Sequence, residues 1–549
     1  MFLNPAEAWR LLLICAGIVA GFLLYAHLSK IKQKVPLFYC WLGAIAVLGG
    51  AAAFFLPIAV NSGFAKDDDG SALRQALLYT TGGLLGVITL GETHRKNNQE
   101  KEKNENDHTR QVYAERRSRY TKAVEQLANE KASVRLGGIY TLVGLADEWL
   151  ADDSLTKDKQ REEGQIIINN LCSYIRSPFP LAEKIEEYEA RKELEKLQKS
   201  ESEKLSEEES SLLQVLLKRF EDSDEYEKPK DITTDYVKFY EEQDVRRAIF
   251  EEMSKRSSTV SVDESKKVTV KSGAWSGFKF DFSRAPIFYP LNNLTIEQGQ
   301  FSSARFYRNT NFIFAKFTEN ADFTGAIFTG NTDFRYTIFN ERAYFVDVAF
   351  SRTADFSDAV FNRFADFLDA DFSGDANFWT ATFTGEARFR NATFDRNAYF
   401  TRTTFNRDSY VYFARATFTG DAYFIGTTFN GGTRFEGTTF SRYIYFQDAT
   451  FSGEMTLRGS YFEKSAPIFV YDSGAAQFSN QVNWADSNFS VRSGSKPIEL
   501  GSATLGDKTF SIPFGTVVFD PGSWDEKTEE YTHMSVTCCR IRRSPHHQE

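Results

Sequence analysis

The chain has 549 residues, with 75 Asp plus Glu against 65 Lys plus Arg, a formal net charge of −10. That length exceeds what one hydrophobic core organises, so several domains are expected. The acidic balance argues against a general nucleic-acid binder, and the five cysteines (Cys15, Cys40, Cys172, Cys538, Cys539) are too scattered for a disulfide framework.

Residues 1–93 read as a membrane anchor. Leu11–Leu28 and Val35–Val60 are apolar spans long enough to cross a bilayer with some tilt. A third span, Ala76–Leu90, is interrupted only by Tyr79, Thr80, Thr81 and Thr89, which places three helices at about 11–28, 35–60 and 74–91. No small-residue cleavage site follows the first span, so it reads as a retained anchor rather than a signal peptide. Lys30, Lys32 and Lys34 lie between spans one and two, Asp67, Asp68 and Asp69 between two and three, and Arg95 and Lys96 after the third. The positive-inside rule then puts the lysine loop and everything after Arg95 in the cytoplasm. Gly17-x-x-x-Gly21 and Gly82-x-x-x-Gly86 offer faces for close helix packing.

Residues 94–119 are densely charged and read as a helical stalk. Tyr120–Leu127, Val134–Leu142, Ile166–Ile175 and Gln243–Met253 have apolar residues at helical spacing, giving a small all-α domain over 120–180 plus 236–258. Residues 181–235 form a charged insertion, in which Ser206-x-x-Glu209 ahead of Leu212, Leu213, Leu216 and Leu217 is a capping box. The insertion is expected to be a helical hairpin projecting from the all-α domain.

Phenylalanine then recurs alternately five and six residues apart. It runs from Phe312 and Phe317 through Phe323, Phe328, Phe334, Phe339, Phe345, Phe350, Phe356, Phe361, Phe367, Phe372, Phe378, Phe383, Phe389, Phe394, Phe400 and Phe405. After two extra residues it resumes at Phe413 and continues to Phe451. An eleven-residue period sustained this long marks a repeat architecture. A small residue stands two positions before most of these rings, as in Ala354-Asp355-Phe356 and Ala381-Thr382-Phe383. In extended chain the two share a side, so both point inward and the residue between them points out. Ser, Thr, Gly or Asn follows the ring and favours a turn. Such short pieces cannot make a hairpin sheet, but they can wall a coil that stacks on the next.

These residues resemble the pentapeptide-repeat family, whose consensus is Ala-(Asp/Asn)-(Leu/Phe)-x-x. The resemblance spans Phe301 to Phe462. It implies a right-handed quadrilateral β-helix over 301–465, here with a bulged 11-residue double repeat, about 22 residues per coil and about seven coils. The helices ahead of the repeat look like those preceding it in many membrane-attached bacterial members, which implies a multi-pass inner-membrane protein with a cytoplasmic C-terminal domain. Caps are expected at 259–300 and 466–524, because a solenoid's open ends need covering. Residues 525–549 read as a disordered tail.

The sequence shows no catalytic constellation. No histidine falls between His108 and His533, no phosphate-loop motif is present, and Cys172 sits on an apolar helix face. His546-His547 with Cys538-Cys539 lack a scaffold for a metal. No catalytic residue, metal or cofactor is therefore expected. The rings from Phe323 to Phe405 are assigned to the core ladder, and the outward positions Asp355, Asp366, Tyr399, Tyr423 and Tyr445 to a candidate interaction face. Asp366, Asp369 and Asp371 are expected to face solvent. Some family members mimic DNA through an acidic rod, but residues 301–462 hold 18 acidic and 16 basic side chains, a net of −2. The leading expectation is a non-enzymatic, membrane-anchored scaffold whose partners are an unidentified protein and the lipid bilayer, with no nucleic acid. DNA mimicry and membrane sensing are the alternatives.

Overall fold

The computed structural model describes residues 3–28, 37–60, 69–200, 205–221, 229–262, 268–406, 410–472, 474–482, 487–528, 530–537 and 539–540. The chain divides into two compact units, Met1–Arg117 and Ser118–Glu549.

In the first unit, α1 (Pro5–Leu28) packs against α2 (Leu37–Ala59). Two segments, Pro5–His27 and Phe38–Ala59, are long and apolar enough to cross a membrane. The third apolar segment is part of α3 (Asp69–Leu127), an unbroken 59-residue helix that also contains the charged stretch. The stalk is thus a continuation of this helix rather than a separate element. The glycine pairs expected to bring helices together do not: a Cβ at Gly17, Gly21, Gly82 or Gly86 would meet nothing within 4 Å. The close approach is at Gly49, where a Cβ would lie 2.2 Å from the Thr81 Cγ2 of α3. Lys30, Lys32, Lys34, Asp67 and Asp68 lie outside the described residues.

In the second unit, α4 (Ala132–Leu150), α5 (Lys157–Arg176), α6 (Pro180–Lys199), α7 (Glu207–Phe220) and α8 (Ile232–Arg256) precede the solenoid. Ser206 and Glu209 form the reciprocal capping box at the start of α7, and the Ser206 amide lowers the Glu209 carboxyl pKa. The α6–α7 hairpin does not project, contrary to expectation. Arg308 and Arg352 of the solenoid reach Glu189 (2.7 Å) and Glu193 (2.6 Å) of α6 and hold the hairpin along the rod.

The solenoid is built from two-residue strands in four parallel sheets. In chain order the four faces of a coil are face 1 (Ala349–Phe350), face 2 (Ala354–Asp355), face 3 (Val360–Phe361) and face 4 (Ala365–Asp366). Through most of the rod each residue pairs with the one 22 positions on, as Phe350 with Phe372, and 24 on across the two-residue insertion, as Phe394 with Phe418. Face 1 begins at Pro286–Ile287 and has nine strands, so the rod makes eight turns and is about 38 Å long at the usual strand spacing. The first turn escaped the phenylalanine rhythm because Ile287, Leu291 and Ile296 fill its inward positions.

The two corner types explain the five-plus-six spacing. After faces 2 and 4 the turn is short and its second residue has positive φ, every eleven residues from Tyr336 through Asp347, Asp358, Asp369, Thr380 and Asn391 to Arg402, then thirteen on at Arg415 across the insertion. Asp, Asn and Gly tolerate this left-handed conformation best, and Gly426, Gly437 and Gly459 take three of the later corners. After faces 1 and 3 the turn carries the extra residue.

The interior is an aromatic lattice. All sixteen rings from Phe323 to Phe405 are at most 1% exposed. Rings one coil apart stack, as Phe345 on Phe367 (4.8 Å, 2° between planes). Rings from opposite faces 2 and 4 meet edge to face across the core, as Phe345 and Phe356 (5.5 Å, 87°). Both geometries suit the aromatic quadrupole. Where Thr replaces the small alanine, its buried hydroxyl donates to a ring residue's carbonyl, as Thr403 to Phe378 O at 2.7 Å.

The helices, more than residues 259–300, close the N-terminal end. Phe250 of α8 packs on Phe282 (4.6 Å), and Phe239 on Phe288 (5.0 Å). At the other end face 3 continues through Gln477–Ser479 and Val517–Phe519, then stops against the antiparallel strand Met534–Val536. The described residues between 525 and 540 therefore are not a free tail. Tyr531 stacks on Phe519 (4.2 Å), which anchors this stretch among charged neighbours. Cys538 and His546-His547 lie outside the described residues.

Candidate functional site

Inward positions are consumed by packing, so the outward columns carry whatever the rod presents. On face 2, register places Asn311, Asp333, Asp355, Asn377, Tyr399, Tyr423 and Tyr445 in one column. The three tyrosines are half-buried and stack at 5.0 and 5.1 Å, with planes within 5° of parallel. Burial first, then Asp421, pushes the Tyr423 hydroxyl pKa up to about 12, and its hydroxyl points to the Asp421 carboxylate (3.5 Å).

The other end of the column is less acidic in effect than its composition suggests. Asp333, Asp355 and Asn377 each accept from the backbone amide two residues on, at 3.0, 2.9 and 3.1 Å, closing the short corner. Arg335 pairs with Asp333 at 2.7 Å and reaches toward Asp355.

Asp366 does not join this face. Eleven residues are half a coil, so Asp366 sits on the opposite face 4, between Tyr344 and Arg388. It is also buried rather than solvated, and burial raises its carboxyl pKa. Asp369 and Asp371 are exposed. Cys172 is buried, its thiol pushed up to about 12 by desolvation, so it stays protonated and unreactive. Among the described residues, no group of three or more His, Cys, Asp or Glu side chains could hold a metal ion.

One feature went unread in the sequence. The second residue after each face 1 phenylalanine forms a corner ladder: Arg308, Gly330, Arg352, Gly374, Arg396, Gly420, Arg442 and Lys464. The glycines are sterically required. A Cβ at Gly330, Gly374 or Gly420 would lie 2.3 Å from the backbone carbon of the arginine one coil earlier. Beside the ladder, asparagine and aspartate side chains accept from the backbone of the next coil, as Asp375 from Asn397 N and Asn397 from Asp421 N, both at 3.1 Å. Between α7 and this corner runs a groove of about 960 Å³. The alternation was available at a 44-residue period, twice the coil, which the dominant phenylalanine signal hides.

Four parallel sheets of stacked short strands around a filled interior define a parallel β-solenoid with a four-sided coil. A family model described as pentapeptide repeats matches residues 334–382 and 413–460, in nine copies. These stretches of the solenoid are pentapeptide repeats. No match is found among curated proteins or among solved structures.

Proposed function

We propose that this protein is a non-enzymatic scaffold that docks a partner protein on face 2 of its solenoid and is tethered to a membrane by its N-terminal helices. The tyrosine column carries the reading. Tyr399, Tyr423 and Tyr445 present three parallel, half-exposed rings at a fixed spacing, and tyrosine supplies contact area with few rotatable bonds, as hot spots require. Pre-stacking removes much of the ordering entropy that binding would otherwise cost. Two helices long and apolar enough to cross a membrane support the tether. A net charge of −2 over residues 301–462 gives no support to DNA mimicry.

The test is site-specific photo-crosslinking of the full chain in its native membrane. A photoreactive phenylalanine analogue at Tyr445 is expected to give a discrete protein adduct that is absent when the analogue replaces Arg363, which lies at the corner after face 3. Tyr399→Ser/Tyr423→Ser in the same background is expected to abolish the adduct without changing the melting temperature. Identical adducts from both positions, or an adduct that survives the serine variant, would overturn the reading.

A further inference from the structure

We infer that the far half of the corner ladder, Arg396, Arg442 and Lys464, binds an acidic helix of the partner protein. This rests on the docking reading above, because the corner borders face 2. The chain itself shows how the ladder is engaged. Helix α6 sets Glu189 against Arg308 and Glu193 against Arg352, at 2.7 and 2.6 Å. These carboxylates are four residues apart on one helix face. Glu209, at the start of α7, lines the same cavity as Arg396.

Among the described residues, Arg396, Arg442 and Lys464 make no ion pair to α6 or α7; Arg396 and Arg442 instead line the groove beside α7. Among the described residues Arg396 has no ion-pair partner. Arg442 is exposed and touches Asp421 at 3.2 Å, and Lys464 is exposed over the Tyr443 ring at 4.4 Å. Arginines two coils apart are separated by about 9.6 Å. Helix α6 meets two arginines at that separation with carboxylates four residues apart, an axial rise of about 6 Å, the long side chains making up the difference. The α6 precedent favours helical carboxylates. Guanidinium forks grip them with paired hydrogen bonds, and the adjoining tyrosines add the apolar contact that charges alone lack.

The experiment uses the full chain in phosphatidylcholine nanodiscs and fluorescence anisotropy. The probes are an alanine-based helical peptide with Glu at every fourth position, a proline-broken peptide of equal charge, and a 20-nucleotide oligothymidylate. The helical peptide is expected to bind at least tenfold more tightly than the broken one. Arg396→Ala/Arg442→Ala is expected to weaken it at least tenfold, and Arg363→Ala to leave it unchanged, with equal melting temperatures throughout. Wild-type affinity in the double variant, equal binding of the broken peptide, or tighter binding of oligothymidylate would each overturn the inference. Crosslinking from Tyr445 in the double variant separates the two readings. A surviving adduct sinks the acidic helix and keeps the docking face, whereas no adduct from the wild type sinks the docking face.

Discussion

The helical region ahead of the solenoid and the solenoid itself share one continuous core but hold it together in different ways. Inside the rod, cohesion comes from rings and small residues repeated every 22 positions, and each coil meets mainly its two neighbours. Inside the helical region, cohesion depends on charges brought together from distant places. Arg246 is 1% exposed. It pairs with Glu242 (2.7 Å), donates to the Ile175 carbonyl (2.8 Å) and lies over the Tyr174, Phe179 and Phe288 rings. Glu242 also accepts from Arg135 and from the Tyr174 hydroxyl. A second such centre joins Arg256, Asp147 and the Trp275 indole across more than a hundred residues of chain. A repetitive core can be extended one coil at a time, whereas a polar core fixes one unique arrangement of α4, α5 and α8.

Two substitutions test that contrast, with effects of similar size and different reach. Phe367→Ala removes a ring stacked at 4.8 Å on both Phe345 and Phe389, and is expected to cost about 3–5 kcal/mol in urea unfolding. Its effect should add to that of Phe435→Ala, three coils away, because distant coils share no partner. Wild-type stability would sink the inward-ladder account. Arg246→Ala leaves Glu242 buried without its closest partner and is expected to cost about 3–5 kcal/mol. Here the double change Arg246→Met/Glu242→Met should cost less than the sum of the two single changes, since both act on one network, although Arg135 and Tyr174 still lose their shared acceptor. Additive losses at this pair would place the two charges outside any common network.

The smallest effect concerns a carboxylate on the rod itself. Burial raises the Asp366 pKa above its ordinary 3.8, with Glu386 and Asp369 reinforcing the shift against the Leu368 amide and Arg388. A raised folded-state value means that the folded protein binds this proton more tightly than the unfolded chain. The contribution to stability is therefore fully present below pH 3.8. It is lost as pH rises through the interval up to the folded value. Asp366→Asn is expected to raise the melting temperature at pH 7, with the gain shrinking as pH falls toward 3.8. A gain of equal size at every pH would show that the carboxylate is solvated after all.

The rod was legible because its code is local. A ring every five or six residues, a small residue two positions earlier and a turn former after it state which side chains point in, and parallel register follows from the period. The tyrosine column was readable for the same reason, since positions 22 residues apart, allowing for the two-residue insertion, must stack. Asp366 was misplaced because an eleven-residue period hides a 22-residue coil: half a turn moves a side chain to the opposite face. The hairpin's place along the rod was not legible, because Glu189 and Glu193 look like any solvated helix face until Arg308 and Arg352 stand opposite them.

The sequence by itself determined the solenoid, its ring-filled interior, two apolar helices and the capped start of α7, all of which rest on contacts between residues near in sequence or repeated at a fixed period. Tertiary structure alone decided that α8 closes the open coil, that Met534–Val536 and Cys539–Arg540 pair back onto the C-terminal sheets, and that Arg308 and Arg352 of the ladder pair with α6 while Arg396 and Arg442 line a groove beside α7. Those outcomes turn on meetings between segments tens to more than a hundred residues apart, where side-chain chemistry makes a contact favourable but only the folded chain brings its members together.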